Sequence, residues 1–429
     1  MKTGGMKAGL AARQAALDAL SQVLRRRSPL DVALLAAEGL APRDAGFARA
    51  IVSETLRRFG QLEALIRLYV PKPPARHRAG PVPEILLAGA CELLFLEVPA
   101  HAAVDAANQL AEADLKAMHF KPLINAVLRR VARDGKGALA AQDATRLNTA
   151  DWLWARWCET YGEETARAIA AAHLEPPLLD IVSKGSAIPE AEPLFGNVWR
   201  LCGHERIETM AGFVEGDWWV QDAAAALPAL LLGEVRGKTV IDLCAAPGGK
   251  TAQLASAGAR VIAVEREASR LARLRENLAR LNLEAALVAA DARDFRPQQP
   301  APFVLLDAPC SATGTIRRHP ELPWIKGASD VTLCAAAAGE LLEAAAEMTA
   351  VGGLLVFAVC SLEREEGGEQ AEAFLARNRD FVRVRIAPEE LFGHCEWIDS
   401  AGDLRTLPCH LAAHGGMDGF YAARFRRVS

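Results

Sequence analysis

Residues 240–254 read V-I-D-L-C-A-A-P-G-G-K-T-A-Q-L, and their hydrophobic period changes halfway along. Val240, Ile241 and Leu243 make a short apolar run of the kind buried in a parallel sheet, with the acid Asp242 near its end. Pro247 and the pair Gly248-Gly249 break the chain, and Lys250-Thr251 opens a helical pattern. A strand that stops at a glycine turn and feeds a helix presents several backbone N–H groups at one point. Such turns sit at the carboxyl edge of a parallel sheet, where nucleotide-like ligands bind. An ordinary tight strand-to-helix turn would carry the same two glycines.

The ligand class follows from what the turn lacks. Gly249-Lys250-Thr251 resembles the end of a phosphate-binding loop, but that pattern needs glycine where Cys244 stands. The dinucleotide fingerprint fails because Pro247 occupies its middle. The turn that fits is the one that binds S-adenosylmethionine (SAM): Cys244, Ala245, Ala246, Pro247, Gly248, Gly249 and Lys250 would wrap the methionine moiety. It needs an acid at the end of the next strand for the ribose hydroxyls. Arg260–Val264 is such a strand, and Glu265 ends it. Lys250 would orient the turn or serve as a capping or surface lysine.

An alternating pattern continues from there, as in a doubly wound sheet. A helix is expected over Ser269–Leu281 and a third strand over Ala286–Ala290, ending at Asp291. That acid would bind an adenine amino group or cap the Arg293-Asp294 turn. A fourth strand, Phe303–Leu306, ends at Asp307-Ala308-Pro309-Cys310-Ser311, and a fifth, Leu354–Val359, ends at Cys360-Ser361. Two strands thus deliver a thiol each to the edge that carries the cofactor turn. A lone strand-end cysteine is usually a small hydrophobe; two of them beside a methyl-donor turn suggest chemistry. Carbon 5 of cytosine is a poor nucleophile until a thiolate adds at carbon 6 and turns the ring into an enamine. An acid near N3 neutralises charge during that addition, and a base then removes the carbon-5 proton so that the thiolate can leave. Two cysteines and one aspartate, Cys310, Cys360 and Asp307, match pyrimidine C5 methylation better than attack on nitrogen or oxygen. Which cysteine attacks is not set by this pattern.

The chain of 429 residues, 51% hydrophobic, is long enough for two or three domains. Its net charge of −4 conceals an asymmetry: residues 1–140 carry 20 Lys and Arg against 13 Asp and Glu, the remainder 29 against 40. A basic first third on an acidic body suggests a polyanionic partner, a solvated basic surface being the alternative. That third is helical by period, with stripes Leu17, Leu20 and Leu24, then Val32, Leu34 and Leu35, then Phe47, Ile51, Leu56, Leu62, Leu65 and Leu68. Pro71–Pro83 interrupts it, and helices resume at Glu84–Leu96, Val104–Ala113 and Pro122–Val131. Trp152, Trp154 and Trp157 suit a packed helix better than a base-stacking platform. Short strands are expected over 175–220.

No apolar run has membrane length, no signal peptide is read, and Met1–Gly9 is a polar tail. Nine cysteines without paired spacing argue for reduced thiols in a cytoplasm. His394-Cys395 and Cys409-His410 are imaginable zinc ligands, but no C-x-x-C occurs and no metal is expected.

At Asp242–Thr251 (D-L-C-A-A-P-G-G-K-T), Asp307–Gly314 (D-A-P-C-S-A-T-G) and Val359–Ser361 the chain resembles the RNA cytosine-C5 methyltransferase family (NOL1/NOP2/Sun). Arg317–Glu321 and Gly416–Tyr421 extend the likeness. In the first third, Val98–Val104 and Asn125–Arg130 resemble a NusB-like RNA-binding domain. The resemblance implies three parts: an all-α NusB-like domain over 1–140, a small α/β linker or RNA-recognition subdomain over 141–215, and a Rossmann-like class I SAM-dependent methyltransferase domain over 216–429. The last should hold a seven-stranded sheet with one antiparallel strand. It also implies Cys360 as nucleophile, Cys310 as the group that releases the methylated base, and SAM on the Cys244–Lys250 loop, Glu265, Asp291 and Asp307. The implied partner is 16S ribosomal RNA, with transfer RNA or a non-catalytic assembly role as alternatives; no membrane, no DNA and a monomeric state are expected. The chain departs from the family in having Val359 where threonine usually precedes the nucleophile, and in lacking an Arg-Val-Asn run within 178–184.

Overall fold

The computed structural model describes residues 9–429 except 186, 187, 189, 190, 202 and 204–206, so the polar start of the chain up to residue 8 lies outside it. The chain forms two compact units, Met1–Glu175 with Arg318–Gly327, and Pro176–Arg317 with Ala328–Ser429. The helices Asp151–Tyr161 and Glu163–His173 belong to the first unit and the small sheet over 180–220 to the second. The linker over 141–215 that the resemblance implies takes in both helices and the first three strands of that sheet, but not Trp218–Val220.

The first unit is all helical among its described residues, with long helices at Leu10–Arg26, Pro42–Arg57, Phe59–Tyr69, Val82–Leu94, Ala100–Glu112 and Lys121–Ala140. Its core takes Leu17, Leu20, Ile51, Leu56, Leu62 and Leu65 from the expected stripes. Val32, Leu35 and Leu68 are exposed instead; Leu30 and Leu34 cover the core at that turn. Helix Val82–Leu94 lies close to helix Lys121–Ala140, because Gly89 leaves room only for Leu128: a Cβ there would meet Leu128 Cδ1 at 2.8 Å. Residues 318–327 are part of this unit's core. Trp324 donates its indole N–H to Leu56 O (2.9 Å), its ring lies 4.8 Å from that of Phe59, and Ile325 is buried among the helices. Trp157 is buried and packs against His173, while the guanidiniums of Arg146 and Arg167 lie 5.4 and 5.2 Å from the ring centre of half-buried Trp154.

The second unit holds two sheets. The smaller is antiparallel: β1 (Asp180–Ser183), β2 (Ala191–Phe195), β3 (Val198–Leu201) and β4 (Trp218–Val220), in the order β2-β3-β1-β4. A buried bidentate pair ties β1 to β3, Arg200 donating to Asp180 at 2.6 and 2.8 Å. Asp180 also accepts from Ala223 N (2.9 Å), at the start of the helix that leads into the larger sheet.

The larger sheet comprises β5 (Thr239–Leu243), β6 (Arg260–Glu265), β7 (Ala286–Ala289), β8 (Ala301–Asp307), β9 (Thr349–Val359), β10 (Phe381–Arg383), β11 (Leu404–Thr406) and β12 (Phe420–Arg427). Its path runs β7-β6-β5-β8-β9-β12-β10, with β11 also paired to β12. β5 to β9 are parallel and β12 is antiparallel to β9, so the expected seven-strand path is present and β11 is an addition to it. Helices cover both faces. Leu227, Leu254, Leu274 and Leu278 pack on one side, and Leu341, Leu342 and Met348 from the long helix Ala328–Met348 on the other. Register fixes the functional edge. Leu243 lies beside Val264 and Leu306, and Asp307 beside Ala358, so the residues that follow each strand emerge together. No helix among the described residues is long and apolar enough to cross a membrane.

Candidate active site

A cavity of about 370 Å³ opens at that edge, within the ~300–1,000 Å³ usual for small-molecule sites. Cys244, Ala246, Glu265, Asp291, Asp307, Cys310 and Cys360 all line it. A larger depression of about 740 Å³ opens at the opposite ends of β6 and β7, among Thr239, Arg260, Arg275 and Glu284. It contains no thiol and none of the strand-end acids, all of which line the smaller one.

The turn is built from short side chains. Cys244 adopts a left-handed backbone (φ 59°), which costs a non-glycine residue on the order of 1–2 kcal/mol. Ala245 then anchors the turn by donating its N–H to Val264 O at 3.1 Å. Pro247 is exposed, and its carbonyl accepts from Asn277 Nδ2 (2.9 Å). Gly248 has φ 106°, open to glycine at little cost, and a Cβ on Gly249 would press on Gln221 at 3.1 Å. The two glycines therefore serve the backbone path and its packing. Lys250 is buried and pairs with Asp307, Nζ to Oδ2 at 2.8 Å, its ammonium 4.9 Å from the centre of the Phe420 ring. It is neither a surface lysine nor a cap.

The acids differ in how they are held. Glu265 is buried and accepts from Glu267 N (3.1 Å) and Ala246 N (3.4 Å), with Arg270 at 3.5 Å. Asp291 lines the cavity and also caps the turn after it. Arg293 donates to it from the backbone and from the guanidinium at 2.8–3.0 Å, holding its carboxyl down at about 2. Asp242 lies wholly buried beneath the turn, accepting from Thr251 Oγ1 (2.5 Å), with Oδ1 unpartnered. Burial pushes its carboxyl up to about 7. In the unfolded chain the same group titrates near ~3.9, so over the interval between them the folded protein holds a proton that the unfolded chain has lost. Stability should therefore fall as pH rises through that window. Wild-type protein is expected to lose several degrees of Tm relative to Asp242→Asn between about pH 5 and pH 8, read by calorimetry; parallel curves would refute the assignment.

The two thiols come together. Cys310 Sγ and Cys360 Sγ are 3.5 Å apart, each within the cavity lining. The contact with Cys360 and burial push the Cys310 thiol well above its ordinary value. Burial pushes the third thiol, Cys244, up to about 12, which leaves it inert as a nucleophile.

Several residues of the site gave no signal in the sequence. Arg266 and Arg270 rim the cavity, and Ala337 and Leu341 reach it from a helix the sequence reading passed over. Glu366, in the run Glu363-Arg364-Glu365-Glu366, reads as solvated surface but is fully buried behind the thiols. His394 stacks on Trp397 and meets Glu396, and His410 Nδ1 accepts from Leu407 N. Among the described residues no group of three His, Cys, Asp or Glu could hold a metal ion.

Comparison with known proteins agrees with this architecture. Residues 229–426 match the model of the family described as 16S rRNA methyltransferase RsmB/F, and residues 10–133 that of the NusB family. The chain is 35% identical to the ribosomal RNA small subunit methyltransferase B of Pseudomonas putida, over 97% of this chain and 98% of that one. It is 36% identical to the protein of the same name from Vibrio cholerae, over 88% and 92% of the two chains. The solved structure of PH0851 superposes over 98% of this chain and all of its own at a TM-score of 0.73, with 20% identity. The chain belongs to the RsmB/F family of 16S rRNA methyltransferases.

Proposed function

We propose that the protein transfers a methyl group from SAM to carbon 5 of a cytidine in 16S ribosomal RNA, through a covalent bond between Cys360 and carbon 6. The observation that carries this reading is the pair of sulfurs 3.5 Å apart in the lining of the cavity that also holds Glu265, Asp291 and Asp307. N- and O-methylation need no thiol at the reacting edge; C5 methylation of a pyrimidine needs one to add and a base to finish.

The residues present fit the cofactor. Three strand-end carboxylates face one cavity of suitable size, and the turn above it carries little side-chain bulk. Glu265 would take the ribose hydroxyls, Asp291 the adenine edge, sharing its oxygens with Arg293, and Cys244–Lys250 with Asp307 the methionine end. SAM supplies an electrophilic methyl group. Cys360, as thiolate, adds to carbon 6 of a cytidine swung out of its stack, and Asp307, held by Lys250, manages the proton at N3. Carbon 5 would take the methyl group; Cys310, its own proton released to water once Cys360 is a thioether, would accept the carbon-5 proton; N3 would return its proton to Asp307, and the sulfur–carbon 6 bond would break to return the Cys360 thiolate.

The thiol contact supplies the timing. The contact with Cys360 favours a proton on Cys310, raising that thiol well above its ordinary value. Once Cys360 is bound to carbon 6 it is a neutral thioether. The influence that raises Cys310 most then disappears, and Cys310 becomes easier to ionise when a base is needed.

The helical first unit is assigned to RNA binding on its positive charge balance and its match to the NusB family. Incubating the protein with methyl-labelled SAM and 16S rRNA, followed by bisulfite sequencing, tests the whole reading. One protected cytidine is expected; label on any other base or position refutes it.

A further inference from the structure

Behind the two sulfurs, one buried carboxylate joins the loops that carry them. Glu366 Oε1 accepts from Ser311 N at 2.6 Å, and its Oε2 accepts from Ser311 Oγ at 2.5 Å and from Ser361 Oγ. Ser311 follows Cys310 and Ser361 follows Cys360, so a single side chain grips the residue next to each thiol. All three side chains are fully buried. The loops also meet through Gly314 N to Cys360 O (3.0 Å), Leu362 N to Thr313 Oγ1 (3.0 Å) and a 3.4 Å contact between Ser311 Oγ and Ser361 Oγ, and among the described residues Glu366 is the side chain that accepts from both serines.

We propose that Glu366 is a positioning residue that sets the spacing of Cys310 and Cys360. A negative charge here does not help Cys310 to ionise, because it adds to what raises that thiol. Its contribution is geometric. Two carboxylate oxygens accept three donors from two loops, at the residues that directly follow the two sulfurs 3.5 Å apart. The charge itself is dispensable to that geometry. A glutamine can accept from Ser311 N with its oxygen and donate its NH₂ to both hydroxyl oxygens, which rotate to receive it. An alanine leaves the buried Ser311 N–H without a partner and releases both loops.

The inference rests on the reading above in treating these sulfurs as the reacting pair, but its test needs neither RNA nor SAM. Phenylarsine oxide, a trivalent arsenical that closes on two neighbouring thiols, reports their spacing directly. Its capture of Cys310 and Cys360 should slow about tenfold or more in Glu366→Ala, and methyl transfer with it, since ångström misplacements cost rates of that order or greater. Alkylation of exposed Cys395 serves as the control and should not change. Glu366→Gln should recover most of the capture rate and of the turnover. If Glu366→Ala fails to fold, Ser361→Ala removes one of the three donors and should slow capture about threefold. Wild-type capture in the alanine variant, or in Ser361→Ala when that variant replaces it, overturns the proposal. So does a glutamine variant as slow as alanine, which would make the charge the working feature. Failure of the cytosine reading would leave the capture result standing.

Discussion

Cys360→Ala is expected to lower methyl transfer by about 10⁴-fold or more, the scale seen when a covalent nucleophile is removed, whereas Cys310→Ala should accumulate a protein–RNA adduct. In the proposed mechanism the two variants act on opposite ends of one reaction. Without the Cys360 sulfur no bond forms to carbon 6, and carbon 5 never becomes nucleophilic. Without Cys310 the addition and methyl transfer can proceed, but the carbon-5 proton stays in place and the sulfur–carbon bond cannot break. The adduct should survive denaturing electrophoresis as a slow-migrating band that carries both RNA and label. Because the thiols sit 3.5 Å apart, neither substitution should disturb the fold beyond the loss of one small side chain. A Cys360→Ala protein that still methylates, or a Cys310→Ala protein that turns over without trapping RNA, would show that the assignment is reversed or mistaken.

The larger sheet was legible for a physical reason. Its strands are short apolar runs closed by a residue that apolar burial cannot explain: Glu265, Asp307, Cys360. In a parallel sheet such ends converge on one edge, and the register of β5, β6, β8 and β9 does that. What periodicity cannot carry is a partner far away in sequence. Lys250 was ambiguous because its ion pair is with Asp307, 57 residues on. Asp291 stayed open between adenine and cap because a local Arg293 can occupy the same oxygens a ligand would use. Glu366 was overlooked because a charged run ordinarily faces water, and only the fold reveals two serines waiting for it. The helix Ala328–Met348 was missed since its alanines blur the apolar stripe. The inclusion of residues 318–327 in the helical unit was beyond reach: Trp324 and Ile325 complete a core whose other members lie more than 100 residues away.

Gly314→Ala should cost ~3–5 kcal/mol, lowering Tm by on the order of 10 °C. Gly314 lies in the loop that runs from Cys310, and a Cβ there would come 1.9 Å from the carbonyl oxygen of Gly419 and 2.6 Å from its carbon. Those are backbone atoms, so no side-chain rotation relieves the clash. The two segments are also fastened, Gly419 N donating to Gly314 O at 2.8 Å, and Gly419 has no slack of its own: a Cβ on it would meet Leu362 at 2.4 Å. Gly314 further donates its N–H to Cys360 O at 3.0 Å. Moving it by the ångström or more that a methyl group demands therefore drags at the thiol loop, and the glycine-rich turn before β12 must shift as well. Any protein that folds despite the substitution should have its sulfurs out of register, visible as slower arsenical capture together with the lower Tm. A variant that melts within about 2 °C of wild type would mean that the two backbones do not approach as closely as the structure places them.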